Sequence, residues 1–215
     1  MTKYLLAGVI VPATVLVPLG AAVYKRRYEH PVSRAMFAYV VLSGLTNVIA
    51  RVLGSYGVNN LWVLHIYTLL ECIILLYYYQ LLFRNRTITR LTIWGMILFT
   101  LLCVVNFFFI QYGNRFNSYT RSLSAVFFIT FSAGYFLQQS GKSQTSAWWE
   151  SEANWINTGI LIYYGSALAL FAFANLLYQT ATVKQQLLVG NIHATLVMVA
   201  YLLFAAGFWY GKDRR

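Results

Sequence analysis

The sequence predicts an all-α, multi-pass membrane protein, in which residues 1–215 form a single domain of seven transmembrane helices. Hydrophobic residues make up 60% of the chain and charged residues only 10%, whereas soluble domains carry about 25% charged residues. The apolar stretches recur at the length of about 20 residues that a helix needs to cross a bilayer. A transmembrane β-barrel would show alternating segments of ~10 residues instead, so we exclude strands.

The first span holds Pro12 and Pro18, which membrane helices tolerate where neighbouring helices satisfy the freed carbonyls. It is longer than the apolar region of a signal peptide, and its positive flank lies after it, so we expect it to be retained. The fifth span is the shortest and is rich in serine. In chain order, the predicted spans cover residues 4–24, 35–53, 61–83, 91–110, 122–137, 155–177 and 187–210.

The basic residues predict the orientation of the bundle. Eleven lie on the side of the C-terminus and five on the opposite side, which predicts a cytoplasmic C-terminus and an external N-terminus in the cell (inner) membrane. The net charge of +11 thus reflects the orientation of the protein in the membrane. Because the charges are scattered over short loops, we expect no nucleic-acid partner. The larger set is Lys25, Arg26, Arg27, Arg34, Arg84, Arg86, Arg90, Lys142, Lys212, Arg214 and Arg215, and the smaller set is Lys3, Arg51, Arg115, Arg121 and Lys184.

A faint internal repeat emerges when the sequence is shifted by 128 positions. The superposed pairs are Asn47 with Asn175, His65 with His193, Arg84 with Lys212, and Arg86 with Arg214. Spans one to three would then repeat as five to seven, a parallel arrangement that occurs in membrane carriers. This 3+1+3 plan resembles that of the SWEET sugar carriers and the PnuC vitamin carriers. Their sequence motifs are absent, so no residue is carried over. Microbial rhodopsins share the span count and orientation, but they need a lysine within the last span. Lys212 lies beyond that span, so we exclude rhodopsin chemistry.

Polar residues form one stripe on each of two consecutive spans. In span two, Tyr39, Ser43, Asn47 and Arg51 follow one another at four-residue steps, which drift by ~40° per step around a helix. In span three, the residues that share an arc of ~120° are His65, Thr68, Glu71 and Cys72. Since lipid penalises exposed polar groups, we expect both stripes to face the inside of the bundle.

The depth of these residues predicts a polar cavity that opens to the outside. Glu71 lies within ~2 Å of the middle of its span. Other polar side chains lie ~8–13 Å closer to the external end, namely those of His65, Arg51, His193, Asn106 and Asn175. The inner halves of the same spans are mainly apolar. We therefore expect Glu71 near the cavity floor. The candidate ligand-binding residues are Glu71, His65, Arg51, Asn47, His193, Asn191, Tyr67, Thr68, Asn106 and Asn175.

Glu71 is the strongest candidate, since a charge at the centre of a span costs ~3 kcal/mol and an acid there is a functional candidate by default. One expectation is an ion pair between Arg51 and Glu71, bridged by Asn47 or His65; alternatively, Arg51 extends outward to the lipid headgroups. Single asparagines can instead form interhelical hydrogen bonds, which contribute about 0.6 kcal/mol each.

Three functions fit the sequence. The first is a carrier or receptor that binds or transports a small polar molecule from outside. The second is an intramembrane metal-dependent hydrolase with His65, His193 and Glu71 as zinc ligands, although Glu71 lies ~9 Å deeper than His65 and no hydrolase motif is present. The third is a non-catalytic subunit or assembly factor. We expect a lipid bilayer as the surroundings of the protein and no cofactor. Cys72 and Cys103 are expected to be packing residues. The sequence makes no prediction of the oligomeric state.

Overall fold

The computed structural model describes residues 10–141 and 147–211, and every regular element among them is helical. The α-helices are α1 (Val11–Thr14), α2 (Leu16–Tyr24), α3 (Pro31–Ser55), α4 (Leu61–Phe83), α5 (Arg86–Val105), α6 (Ser118–Ser140), α7 (Glu152–Ala172), α8 (Ala174–Thr180) and α9 (Val183–Tyr210). A π-helical turn, Asn106–Ile110, extends α5, and short 3-10 turns cover Arg27–Glu29 and Trp148–Glu150.

Five helices are long and apolar enough to cross a membrane: α3, α4, α5 with its π-helical turn, α7 and α9. They indicate a multi-pass membrane protein. Helices α1 and α2 form a shorter apolar unit, Val11–Tyr24; residues 4–9 of the first predicted span lie outside the described residues. Helix α6 has 23 residues but is not among the five, because Ser, Thr and Gln are frequent along it. The count of seven spans and their orientation therefore stay predictions.

The helix boundaries follow local sequence signals in most places. Helix α4 coincides with the predicted third span, 61–83. Helix α3 begins earlier than predicted, with Pro31 in its first turn, a position that suits proline because no helical N–H is lost there. Helix α9 also begins earlier, after a capping box between Thr182 and Gln185.

The sixth predicted span, 155–177, contains two helices separated by one residue. Helix α7 ends at Ala172, Phe173 interrupts the helix, and α8 follows from Ala174 to Thr180. The interruption has no proline or glycine within it, so the usual sequence signals for a helix break are missing.

The most extensive helix contacts are those of α7 with α9, α6 with α7 and α3 with α4. Helix α2 packs chiefly against α9 and only slightly against α3. In the predicted repeat, α2 corresponds to α6 and α3 to α7, and the α6–α7 contact is extensive. The two units thus pack differently, and the 3+1+3 repeat stays a prediction.

The core is dense in the half of the bundle that holds the C-terminal parts of α4 and α9 and the N-terminal part of α7. Large side chains there are fully buried: Tyr78, Tyr79, Ile156, Phe204 and Phe208. Helices α7 and α9 approach closely in this half, since a Cβ added at Gly207 would lie only 3.1 Å from the Glu152 carbonyl oxygen. We refer to this region as the closed half.

Candidate functional site

A cavity of about 450 Å³ lies in the other half of the bundle, which we refer to as the open half. It is bounded by α3, α4, α6, α7, α8 and α9 at the end that the basic residues predict to be external. Its volume falls within the range of small-molecule sites, about 300–1,000 Å³. The lining is mainly apolar, with a smaller number of polar groups, which is the usual make-up of such sites.

Glu71 lies beside this cavity as one partner of a buried ion pair. Its side chain is 0% exposed, and Nη1 of Arg121 donates a hydrogen bond to its Oε2 atom. The Tyr67 hydroxyl donates to the Oε1 atom at 2.6 Å. Both carboxylate oxygens are therefore bonded, which is the condition under which a buried charge is tolerated.

Arg121 connects this ion pair to the cavity, whose lining includes its side chain. Its Nη2 atom donates to the Tyr163 hydroxyl at 3.2 Å. The guanidinium carbon lies 4.7 Å from the ring centroid of Phe171 and 5.1 Å from that of Tyr67, in the range of cation–π contacts. A guanidinium has five N–H donors, and only these two side-chain hydrogen bonds engage them within the described part of the chain. Arg121 therefore has donors to offer to a bound molecule.

Asn117 adds an acceptor to the same wall. It is the N-cap residue of α6, and its Nδ2 atom donates to the Leu64 carbonyl at 3.1 Å and to the Thr68 hydroxyl at 2.7 Å. Its Oδ1 atom is buried and has no partner among residues 10–141 and 147–211. An unsatisfied buried acceptor costs about 1–3 kcal/mol. Because Asn117 lines the cavity, a rotation of its amide would turn this atom toward a donor on a bound molecule.

His193 and the Ser43–Tyr201 pair add further polar groups to the lining. The His193 ring lies 5.7 Å from the ring of Tyr163 and 5.7 Å from that of Phe171. The Ser43 and Tyr201 hydroxyls are 2.6 Å apart and hydrogen-bonded. The polar groups thus come from helices that are distant in sequence.

The structure brings some of the predicted site residues to the cavity and leaves others away from it. Asn47, Tyr67, Thr68 and His193 line the cavity. His65 instead has its Nε2 atom 3.0 Å from the Arg115 carbonyl oxygen, and Asn175 donates to the Phe116 carbonyl at 2.8 Å. The predicted residues that do not line the cavity are His65, Arg51, Asn106, Asn175, Asn191 and Glu71.

Two geometric expectations need correction. The partner of Glu71 is Arg121 rather than Arg51, whose side chain is exposed. The charged residue at the cavity wall is likewise Arg121, with Glu71 behind it. The predicted fifth span starts at residue 122 and leaves Arg121 in a loop, whereas α6 starts at Ser118. Asn117 is a sequence signal for the earlier start of α6, since asparagine is a favoured N-cap residue.

The zinc site considered for His65, His193 and Glu71 is not formed. His65 is bonded to the Arg115 carbonyl, His193 packs between aromatic rings, and Glu71 is held by Arg121. Among the residues that the structure describes, no group of three or more His, Cys, Asp or Glu side chains could hold a metal ion. The three residues considered as zinc ligands for the hydrolase hypothesis therefore do not form a metal site in this structure.

No protein-family model matches this chain, and neither a curated protein nor a solved structure matches it.

Proposed function

We propose that this chain is a multi-pass membrane protein that binds a small amphipathic molecule in the cavity of the open half. The neutral polar head of the molecule contacts Arg121 and Asn117, and its apolar body lies along the hydrophobic lining. The observation that carries this proposal is the position of Arg121, which lines a cavity of about 450 Å³ while Glu71 already balances its charge.

The charge balance at Arg121 favours a neutral head. An anionic ligand would add a second negative charge next to the Glu71–Arg121 pair, and the low dielectric of the bundle makes an uncompensated charge costly. A cation would face the guanidinium directly. A carbonyl oxygen accepts hydrogen bonds from the remaining Arg121 donors without adding charge.

The free Oδ1 atom of Asn117 adds a requirement for a donor on the same head. A group with both an acceptor and a donor satisfies the two residues together, and a primary amide is the simplest example. The apolar body follows from the rest of the lining, to which Leu64, Leu170 and Val197 contribute. These requirements narrow the ligand class to neutral molecules with an amide-like head and a hydrocarbon tail.

Equilibrium dialysis of radiolabelled octanamide against the protein in lipid nanodiscs tests this proposal, with empty nanodiscs as the baseline for partition into lipid. We expect saturable binding above that baseline. N,N-dimethyloctanamide, which lacks the donor, should bind about tenfold more weakly, as expected for one lost hydrogen bond. Octylamine, which lacks the acceptor and is cationic, should not bind. No saturable octanamide binding, or equal binding of all three molecules, would contradict the proposal.

Two glycines provide matched variants for this assay. Gly190 lines the cavity and Gly165 does not. A Cβ added at either position meets no atom within 4 Å. Gly190 shares one face of α9 with the lining residues Gln186, His193 and Val197. We therefore expect Gly190→Phe to fill the cavity and abolish octanamide binding, while Gly165→Phe binds as the wild type does. Equal binding by both variants would place the octanamide outside the cavity.

A further inference from the structure

A second cavity, of about 210 Å³, lies at the end of the bundle opposite the first. The first turns of α3 and α7 both border it, through Val32 and Ser33 on α3 and Ala153 on α7. Neither helix has a side-chain hydrogen bond from its N-cap residue. Within the described ranges, no acceptor bonds the backbone N–H groups of Val32, Ser33 and Ala153. Two helix N-termini, each with a partial positive charge of about +0.5, therefore meet at one small cavity.

Ser33 contributes an unpartnered hydroxyl to this cavity. The residue is only 5% exposed and lines the cavity, yet its hydroxyl forms no hydrogen bond with the described residues. Buried polar side-chain atoms in folded proteins are nearly always paired with protein or with ordered water, so this hydroxyl is available to a species in the cavity. The hydroxyl and the two helix termini have in common that they can all donate to an acceptor in the cavity.

Arg84 brings a full positive charge to the same place. It caps the C-terminus of α4 in the left-handed conformation, with φ of 48°, and lines the cavity. Its side chain is exposed, and it forms no ion pair among the residues that the structure describes. The planar guanidinium matches the geometry of a phosphate group.

The other polar groups that line the cavity are His30, Ser151, Tyr78 and Glu152. The Tyr78 hydroxyl accepts a hydrogen bond from Nδ2 of Asn157 at 3.1 Å and has a proton to donate. Glu152 is the one carboxylate among these groups, and its Oε2 atom lies 3.6 Å from Nη1 of Arg27, which balances its charge. Donors and positive charge thus predominate.

We propose that this second cavity binds a phosphate group. Its volume lies below the 300–1,000 Å³ of sites for drug-sized molecules, which suits a compact anion. Unpartnered N–H groups at helix N-termini are a common setting for phosphate. The cavity lies at the end that the basic residues predict to be cytoplasmic, where phospholipid headgroups and soluble phosphates both occur. The bound phosphate group belongs either to a phospholipid headgroup or to a soluble phosphate.

Thermal unfolding of the purified protein in a phosphate-free detergent, titrated with inorganic phosphate, tests binding from solution. Sodium chloride at matched ionic strength is the reference. A ligand that binds the native state raises the unfolding temperature as its concentration passes the dissociation constant. We expect Ser33→Ala and Arg84→Asn each to raise that constant about tenfold, the effect of one lost hydrogen bond to a charged group. Asparagine tolerates the left-handed conformation of residue 84.

Arg86→Asn is the matched control, because Arg86 is an exposed basic residue two positions from Arg84 and does not line the cavity. Its phosphate dependence should equal that of the wild type. If Arg86→Asn weakens binding as much as Arg84→Asn does, the effect is diffuse surface charge and the proposal fails.

Native mass spectrometry of protein extracted from phospholipid membranes tests the other source. Ser33→Asp places an acid in the first turn of α3, which suits a helix N-terminus but repels phosphate. A retained phospholipid that is lost in Ser33→Asp and kept in Arg86→Asn identifies a headgroup site. Stabilisation by inorganic phosphate without a retained lipid identifies a soluble phosphate. The proposal is overturned if inorganic phosphate does not stabilise the protein and no site-dependent lipid is retained.

Discussion

The closed and open halves of the bundle are built from the same helices, α4, α7 and α9, yet they differ in packing. In the closed half, Tyr78, Phe204 and Phe208 are fully buried, and helices approach closely at Gly207. In the open half, the same helices border a cavity of about 450 Å³, and a Cβ at Gly190 would meet no atom within 4 Å. Apolar composition alone therefore does not close a helical bundle; close packing also needs complementary shapes along the contact.

The Glu71–Arg121 pair lies beside the cavity, with Glu71 facing the interior and Arg121 lining the cavity. The fully buried aromatic side chains of the closed half lie toward the C-terminal end of the same helix α4, at Tyr78 and Tyr79. The cavity-lining residues Leu64, Tyr67 and Thr68 lie toward its N-terminal end. A buried ion pair is thus placed where close apolar packing gives way to a cavity.

The largest expected effect comes from breaking this pair. Glu71→Gln leaves the Arg121 charge without its partner, which should lower the free energy of unfolding by about 3–5 kcal/mol. The double variant Glu71→Gln/Arg121→Gln removes both charges and should be less destabilised than the single one. Chemical unfolding in detergent micelles measures both. If the double variant is as unstable as the sum of the two single variants, the residues are not coupled.

The next effect concerns the hydrogen bond that Tyr67 donates to Glu71 at 2.6 Å. Tyr67→Phe removes a hydrogen bond to a charged group and should lower the free energy of unfolding by about 1.5–3 kcal/mol. Tyr77→Phe on the same helix is the control, because Tyr77 is exposed, and it should have little effect in the same unfolding measurement. Equal effects of the two substitutions would show that the hydroxyl of Tyr67 does not stabilise the carboxylate.

Two alanine substitutions on α9 test the difference in packing directly. Gly207→Ala would bring a Cβ within 3.1 Å of the Glu152 carbonyl oxygen and 3.2 Å of the Trp155 Cβ, and overpacking of this kind costs about 1–3 kcal/mol. Gly190→Ala meets nothing and should be neutral or stabilising by up to about 1 kcal/mol, from helix propensity. Thermal unfolding of the two variants gives the comparison. A destabilising Gly190→Ala would contradict the looser packing of the open half.

The smallest effect is expected at Asn106, which is 2% exposed and has no partner in the described structure for either its Nδ2 or its Oδ1 atom. Asn106→Leu removes two unsatisfied polar atoms, so stability should be unchanged or slightly higher. Asn175→Leu, which removes the hydrogen bonds to the Phe116 carbonyl and the Ser118 hydroxyl, should lose about 1–2 kcal/mol. The order of their unfolding temperatures checks this, and the reverse order would contradict it.

The sequence alone determined which segments form helices, since hydropathy and length are local properties of the chain. Helix α4 begins and ends where its apolar run does. Asn47, Thr68 and His193 were found as cavity residues because each belongs to a polar stripe or layer. The tertiary structure alone decided the pairing of Glu71 with Arg121, residues 50 positions apart, and the break at Phe173. Both depend on how α4, α6 and α7 pack against one another, and the periodicity of one helix holds no information on the side chains of another.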